Sequence, residues 1–213
     1  MPKLKARPQP GWIATYTGRQ FFLSKPMLDS ICITDVAHAL ARICRFNGQC
    51  RDFYSVAEHS CSVAYLVSNM IPLTGSLTYN DKKIIRTAVM HDATEAYVGD
   101  MVRPLKRLPS MATYREMERN IWRLMCVKWD LWERLPDVVK EADETMLVVE
   151  GLHLFEPEIV KKWNLPNVDH VMLQHELWEP NTTSGRFVVK VRGLSPRYAE
   201  EEFRALCGTV GIT

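Results

Sequence analysis

The sequence predicts a mainly α-helical protein with a short extended arm at its N-terminus. Apolar residues recur at helical spacing between Thr34 and His153. Proline and glycine lie mostly between these stretches, where they end helices. The 213 residues are 46% hydrophobic, which is enough to bury one sizeable core, so we expect a single domain over residues 1–213.

The arm covers residues 1–33, which mix proline, glycine, aromatic and β-branched residues without a helical period. This pattern predicts an extended segment on the surface, with one short strand near Phe21 and Phe22. The helical core then covers residues 34–153, and residues 154–213 form a C-terminal extension.

The first core helix is predicted from Thr34 to about Arg45, with Thr34 or Asp35 as its N-cap. A second apolar stripe begins near Tyr54 and ends before Pro72, because proline cannot continue a helix. Both stripes have the width expected of helices that pack against a core.

The third helix is predicted over residues 81–97, and Gly99 is expected to stop it. Two further helices are predicted over 111–129 and 137–153, on either side of Pro136. In the extension, residues 187–191 are strand-like and residues 195–207 are typical of a last helix; these bounds come from the sequence pattern alone.

The composition excludes several classes of protein. Lys+Arg 27 against Asp+Glu 25 leaves a net charge of +2, which is too small for a surface that binds a nucleic acid polymer or anionic lipid. The six cysteines contain no CxxC pair, so we expect reduced packing residues. No segment reaches the ~20 apolar residues of a membrane span, and the N-terminus lacks a signal-peptide run. A soluble cytoplasmic protein is therefore expected.

Residues His91, Asp92 and Glu95 carry the first chemical signal, because they lie at positions i, i+1 and i+4 of the predicted third helix. Imidazole and carboxylate groups suit a divalent ion, which needs further ligands from elsewhere in the chain. His59 and Asp143 are the natural candidates. Taken singly, each has an ordinary alternative: His59 as a packed core residue and Asp143 as a solvated helix residue.

The sequence around these residues resembles that of the HD-domain phosphohydrolases, which are helical bundles. The segments that carry the resemblance are SVAEHS at 55–60, HDATEAYVGD at 91–100, RPLK at 103–106 and KEAD at 140–143. Within that family the chain looks like bacterial 5'-deoxynucleotidases and phage dATP triphosphohydrolases, from about Tyr16 to Asp143. The family's metal ligands, in the order His, His-Asp, Asp, fall on His59, His91, Asp92 and Asp143.

The resemblance also implies the remaining site residues. Glu95 matches the family's acid, which polarises the attacking water or protonates the leaving group. Arg45 matches an arginine that grips phosphate, although Arg42 competes for this role, and Phe46 follows where an aromatic residue is common. Asp100 matches a carboxylate that faces the sugar 3'-hydroxyl, and Lys106 would add positive charge over a polyphosphate. Four of these residues also have an ordinary structural interpretation. Glu95 could be an exposed helix carboxylate, Arg45 part of a surface salt bridge, Asp100 a loop aspartate and Lys106 a solvated lysine.

The predicted function is therefore metal-dependent hydrolysis of a small deoxynucleotide. The phage-like segments CRFNG and FYSVAEHS, with RPLK, favour a dNTP triphosphohydrolase that releases deoxynucleoside and triphosphate. The alternatives are a 5'-deoxynucleotidase acting on dNMP and a non-catalytic nucleotide-binding HD protein. Zinc, cobalt, manganese or a similar divalent ion is expected, with magnesium as an option for the triphosphate. A homo-oligomer is expected, in the host cytoplasm if a phage encodes it.

Overall fold

The computed structural model describes residues 11–72, 76–163, 165 and 190–213. Within these residues the chain is mainly α-helical around one apolar core, as the sequence predicts. The helices are α1 (Ile33–Leu40), α2 (Val56–Met70), α3 (Tyr79–Met90), α4 (Glu95–Val98), α5 (Arg103–Lys106), α6 (Ala112–Trp129), α7 (Asp137–Leu154), α8 (Pro157–Lys161) and α9 (Pro196–Thr209). None of the described helices is both long and apolar enough to cross a membrane.

Helix α2 is the central element, because α3, α7 and α9 all pack on it. Its N-terminus is capped by Ser55, whose hydroxyl accepts a hydrogen bond from the backbone N–H of Glu58 at 3.1 Å. Most of its side chains are buried, which is expected of a helix that neighbours surround. Polar residues on α2, such as His59, are therefore held inside the protein.

The N-terminal arm forms a hairpin, in which β1 (Trp12–Ala14) pairs antiparallel with β2 (Gln20–Phe22). The predicted strand at Phe21 is confirmed, but the prediction of one strand is incomplete because β1 accompanies it. Phe21 is fully buried and stacks on Tyr97 with ring centroids 3.8 Å apart. The arm is thus anchored in the core instead of lying only on the surface.

The prediction of one continuous third helix over 81–97 is wrong, because α3 ends at Met90 and α4 begins at Glu95. Between them the backbone N–H groups bond to the carbonyl three residues back, as in Ala93 to Met90 at 2.9 Å. The ring of His91 contributes to the break, since its Nδ1 donates to the carbonyl oxygen of Ala88 at 2.8 Å. In a continuous helix, that carbonyl oxygen would accept a backbone N–H of the next turn.

The first helix also ends earlier than predicted, at Leu40 instead of Arg45. Ile43 and Cys44 continue the apolar stripe but lie outside the helix. Cys44 is extended and forms a bridge with Ser55, and the carbonyl oxygen of Ile43 accepts from the backbone N–H of Val56 at 3.1 Å. Partly buried extended residues and helical residues give the same short apolar pattern. Arg45 therefore lies in a tight turn at 45–48, beyond the helix.

The C-terminal extension is fastened to α2 by Glu58, whose two carboxylate oxygens accept the backbone N–H groups of Arg192 and Leu194 at 2.7 Å each. The predicted last helix is confirmed as α9. The strand-like segment 187–191 lies outside the described residues except at positions 190 and 191, which are not in a strand. The short helices α5 and α8 were not expected from the sequence.

Candidate metal centre

Four side chains from α2, α7 and the turn after α3 converge on one point. Nε2 of His59 lies 3.2 Å from Nε2 of His91, 3.3 Å from Oδ1 of Asp143 and 3.5 Å from Oδ2 of Asp92. Nε2 of His91 is 3.3 Å from the same Asp92 oxygen and 3.8 Å from that of Asp143. Tetrahedral ligands bound at about 2.0–2.2 Å are about 3.3–3.6 Å apart. The ligand atoms of His59, His91 and Asp143 lie within 4.8 Å of one another and suit a small divalent ion, and Asp92 adjoins the two rings.

Both imidazole rings are held with Nε2 toward this point. Nδ1 of His59 donates to Oε1 of Glu150 at 2.5 Å, and Nδ1 of His91 donates to the carbonyl oxygen of Ala88 at 2.8 Å. A carboxylate and a carbonyl can only accept these bonds, so each Nδ1 carries a proton. Each Nε2 is then the atom available to a metal, as in most histidine ligands. The residues present therefore fit a divalent ion.

Charge at the site favours a bound cation. Burial opposes protonation of His91, but the carboxylates of Asp92 and Asp143 outweigh it and hold the pKa of His91 well above its usual value. Burial and Arg45 also oppose protonation of His59, whose pKa is nevertheless raised by Glu150 and Asp143. Burial likewise opposes ionisation of Asp143, yet the two rings keep its pKa below the usual range. The carboxylates around the two rings therefore favour positive charge at this point.

Glu150 was missed by the sequence analysis. It is fully buried on α7, where one oxygen accepts from His59 and the other accepts from Nε of Arg45 at 3.1 Å. Burial opposes its ionisation, but Arg45 and His59 hold its pKa below the usual value. Its signal in the sequence is a carboxylate seven residues after Asp143, on the same helical face and inside the apolar run MLVVEGLHL.

Arg45 lies at the metal ligands, whereas Arg42 does not. The NH1 group of Arg45 is 3.5 Å from Oδ2 of Asp92, and the side chain is largely buried. Arg42 is exposed and donates to Glu200 at 2.7 Å. Phe46, the next residue, has a positive φ of 55° and packs with its ring 5.9 Å from that of Trp163. The turn therefore directs Arg45 toward the ligands and Phe46 toward an aromatic cluster.

Glu95 is the first residue of α4, and Asp100 lies two residues beyond its end. Glu95 is 8% exposed, and its Oε2 has no hydrogen-bond partner among the described residues. Burial, reinforced by the charges of Asp92 and Asp100, raises the pKa of Glu95 well above its usual value. Burial also raises the pKa of Asp100, while Arg45 opposes that shift. The surroundings of Glu95 therefore favour the protonated form of its carboxyl group.

Lys106 lies on α5, at one side of a basic pocket of about 570 Å³. Its Nζ is 2.5 Å from Oε1 of Glu118. The pocket reaches Asp143, whose Oδ2 accepts from Arg103 at 3.0 Å while its Oδ1 faces the two histidines. The lining residues are Arg103, Lys106, Arg107, Arg115, Lys140, Asp143 and Glu144. Positive charge therefore adjoins the candidate metal ligands on this side.

Comparison with known proteins gives one family. The family model described as 5'-deoxynucleotidase YfbR-like matches residues 34–162, which is more than half of the chain and contains all four converging side chains. The uncharacterized protein YfdR of Escherichia coli is 39% identical over 139 residues, or 65% of this chain and 70% of that protein. An uncharacterized protein of Rhodobacter capsulatus is 34% identical over 133 residues, or 62% of this chain and 64% of that protein. The family match extends beyond Asp143, where the sequence analysis expected the similarity to fade.

Proposed function

The chain belongs to the YfbR-like 5'-deoxynucleotidase family, and from this premise we propose that it hydrolyses deoxynucleoside 5'-monophosphates to deoxynucleoside and phosphate. The family is a hydrolase family of the metal-dependent HD type. The observation that carries the proposal is the convergence of the two histidines and two aspartates beside Arg45 and Glu95. The family match favours the monophosphate over the triphosphate that the sequence segments suggested.

A divalent ion held by His59, His91, Asp92 and Asp143 would lower the pKa of a water molecule and offset charge on the phosphate. Arg45 would bind phosphate oxygens, since NH1 lies on the side of the ligands while Nε is engaged by Glu150. The bond to Glu150 fixes the direction of the guanidinium before substrate arrives. Positioned charge of this kind stabilises the negative oxygens of the transition state.

Glu95 would supply the proton that the departing 5'-oxygen of the sugar needs. Its raised pKa keeps the carboxyl group protonated where an ordinary glutamate would be ionised. Its Oε2 is also free of partners among the described residues, so no hydrogen bond has to break first. Asp100, three residues beyond α4's buried Tyr97, would accept the 3'-hydroxyl of the deoxyribose.

A second candidate function is release of triphosphate from a dNTP. The observation that favours it is the basic pocket of about 570 Å³ that adjoins Asp143, because additional phosphates could extend among its cations. Lys106 and Arg103 would then contribute to binding. The Lys106→Gln variant separates the two candidates, since it should weaken turnover of dNTP and leave that of dNMP nearly unchanged.

The test is to incubate the metal-loaded chain with each dNMP, each dNTP and the matching ribonucleotides, and to separate the products by ion exchange. We expect phosphate and deoxynucleoside from dNMP. Asp143→Asn is the negative control, because it removes one metal ligand. Triphosphate release would replace the proposal by the second candidate. Failure to turn over any nucleotide while metal is bound at full occupancy would overturn both.

A further inference from the structure

Two cysteines flank the turn that carries Arg45. The Sγ atoms of Cys44 and Cys50 are 3.8 Å apart, and both residues are partly exposed. The other cysteines are Cys32, which is also partly exposed, and the buried Cys61, Cys126 and Cys207. The proposed hydrolase chemistry uses neither thiol of the close pair, so their proximity calls for a separate explanation.

Both cysteines lie in backbone segments that hydrogen bonds hold in place. The backbone around Cys44 is fixed to the start of α2. The backbone N–H of Arg45 donates to the carbonyl oxygen of Tyr54 at 2.9 Å, and that of Val56 donates to the carbonyl oxygen of Ile43 at 3.1 Å. On either side of Cys50, the backbone N–H groups of Gln49 and Arg51 donate to the carbonyl oxygens of Phe46 at 3.0 Å and Leu154 at 3.2 Å. The sulfur of Cys50 donates to the carbonyl oxygen of Asp52 at 3.1 Å. A disulfide requires an S–S distance of about 2.05 Å, so the sulfurs must approach by a further ~1.8 Å. Because the backbone on both sides is held, this approach requires the Cys50 sulfur to leave Asp52 and the turn between the two cysteines to shift with it.

We propose that Cys44 and Cys50 form a reversible intramolecular disulfide. Cys44 attacks a low-molecular-weight disulfide, such as oxidised glutathione, to give a mixed disulfide and one released thiol. Cys50 then attacks the sulfur of Cys44, and the second thiol leaves. Both cysteine protons end on the two released thiols, and the pair gives up two electrons. The same two exchanges in the opposite order, with Cys50 reacting first, give the same disulfide.

The disulfide would act on Arg45, and this part of the inference rests on the proposed function. The sulfur of Cys50 lies 3.8 Å from the carbonyl oxygen of Arg45, so closing the bond displaces a group that touches the turn. The turn is already constrained, since Phe46 and Asn47 both have positive φ values of 55°. Movement of this turn would shift the guanidinium of Arg45 away from Glu150 and Asp92. A displacement of ~1 Å at a binding group can lower turnover by about a hundredfold, so we expect at least a tenfold loss.

Peptide mapping tests the bond itself. Trypsin cleaves after Arg42, Arg45 and Arg51, so the disulfide would join peptide 43–45 to peptide 46–51. The full-length protein is equilibrated in glutathione buffers of increasing oxidation, alkylated and digested. We expect the joined peptides in the native chain and in the matched Cys32→Ser control, and we expect none in Cys44→Ser. If Cys32 becomes glutathionylated while 43–45 and 46–51 never join, the proposal is overturned.

Two further measurements separate this proposal from the proposed function. Hydrogen exchange over residues 43–51 should rise on oxidation, since the Arg45 N–H bond to Tyr54 is disturbed; this readout needs no activity. Turnover of dNMP by the native chain should fall on oxidation and return with dithiothreitol, whereas Cys50→Ser should not respond. A joined peptide with unchanged exchange and turnover would overturn the coupling to Arg45. Absence of turnover in the reduced chain would count against the proposed function alone.

Discussion

Glu150 accepts the Nδ1–H of His59 at 2.5 Å, and the two residues belong to different helices, α7 and α2. Helix α7 also carries Asp143, whose Oδ1 lies 3.3 Å from Nε2 of the same ring. One helix therefore supplies both a candidate ligand and the carboxylate that orients a second ligand. Outer partners of this kind fix the tautomer of the ring and raise its basicity toward the metal.

The Glu150→Gln variant should bind metal more weakly. The amide can still accept the bond from His59, but it lacks the charge that polarises the ring and that pairs with Arg45. We expect a loss of metal affinity of about 10- to 100-fold. Because Arg45 would keep only the longer contact to Asp92, the metal-free chain should also lose free energy of unfolding, by less than the about 3–5 kcal/mol of a fully unpaired buried charge. Chelator competition measures the first quantity and urea unfolding the second.

Glu141→Gln is the matched control, since Glu141 lies on the same helix and is exposed. It should change neither the metal affinity nor the stability by more than about 0.5 kcal/mol. Equal metal affinity of the native chain and Glu150→Gln would contradict the orienting role of Glu150.

Metal affinity should rise with pH. The pKa values of His59 and His91 are both raised, in each case by carboxylates that outweigh the effect of burial. Protons therefore hold the two Nε2 positions at pH values where an ordinary histidine is neutral, and a metal must displace them. Affinity should increase from about pH 6 to pH 8, and binding should release protons. Calorimetry in buffers of different ionisation enthalpy measures that release; an affinity independent of pH, with no protons released, would disprove it.

The sequence predicts those site residues that can be identified by their residue types and their order in the chain. Two histidines and two aspartates in the family's order can be identified from the sequence, and the structure places a carboxylate oxygen of each aspartate within 3.8 Å of both histidine Nε2 atoms. Glu150 has no such motif. Its function depends on how α7 lies across α2, which is decided by tertiary packing and which a local pattern does not record.

The predicted boundaries of two helices are wrong for a related reason. Ile43 continues a helical stripe, yet it lies beyond the helix, where its carbonyl oxygen accepts from Val56 at the start of α2. Periodicity cannot distinguish these two ways of covering an apolar side chain. The break at His91 depends on a side chain that bonds to the backbone of its own helix. Both errors lie within a few residues of the candidate site. There the helices are interrupted, and these breaks allow Arg45 and His91 to occupy their positions in the site.

The Glu95→Gln variant should keep its metal and lose turnover. Gln has nearly the same shape but cannot deliver a proton to the leaving 5'-oxygen, so we expect the rate to fall by about 10²- to 10⁴-fold. Since Glu95 must be protonated to act, the native rate should decline as pH rises through its raised pKa, and the variant should lack that decline. Metal content and steady-state rates across pH are the measurements.

Glu116→Gln serves as the control for this experiment, because Glu116 is an exposed residue of α6. It should retain both the rate and the pH profile of the native chain. A Glu95→Gln enzyme with a near-normal rate would remove Glu95 from the proposed chemistry.

The Gly151→Ala variant should destabilise the aromatic cluster that supports Phe46. A Cβ atom at this position would lie 2.7 Å from a ring carbon of Trp163, which is closer than a methyl group can approach, so the indole must shift. Overpacking of this kind costs about 1–3 kcal/mol of the free energy of unfolding, which urea denaturation measures. Gly208→Ala is the matched control, because its Cβ meets no atom within 4 Å and alanine is the better helix former. Equal stability of the two variants would show that Trp163 yields freely. A raised KM in Gly151→Ala, without a change in kcat, would place Phe46 at the substrate.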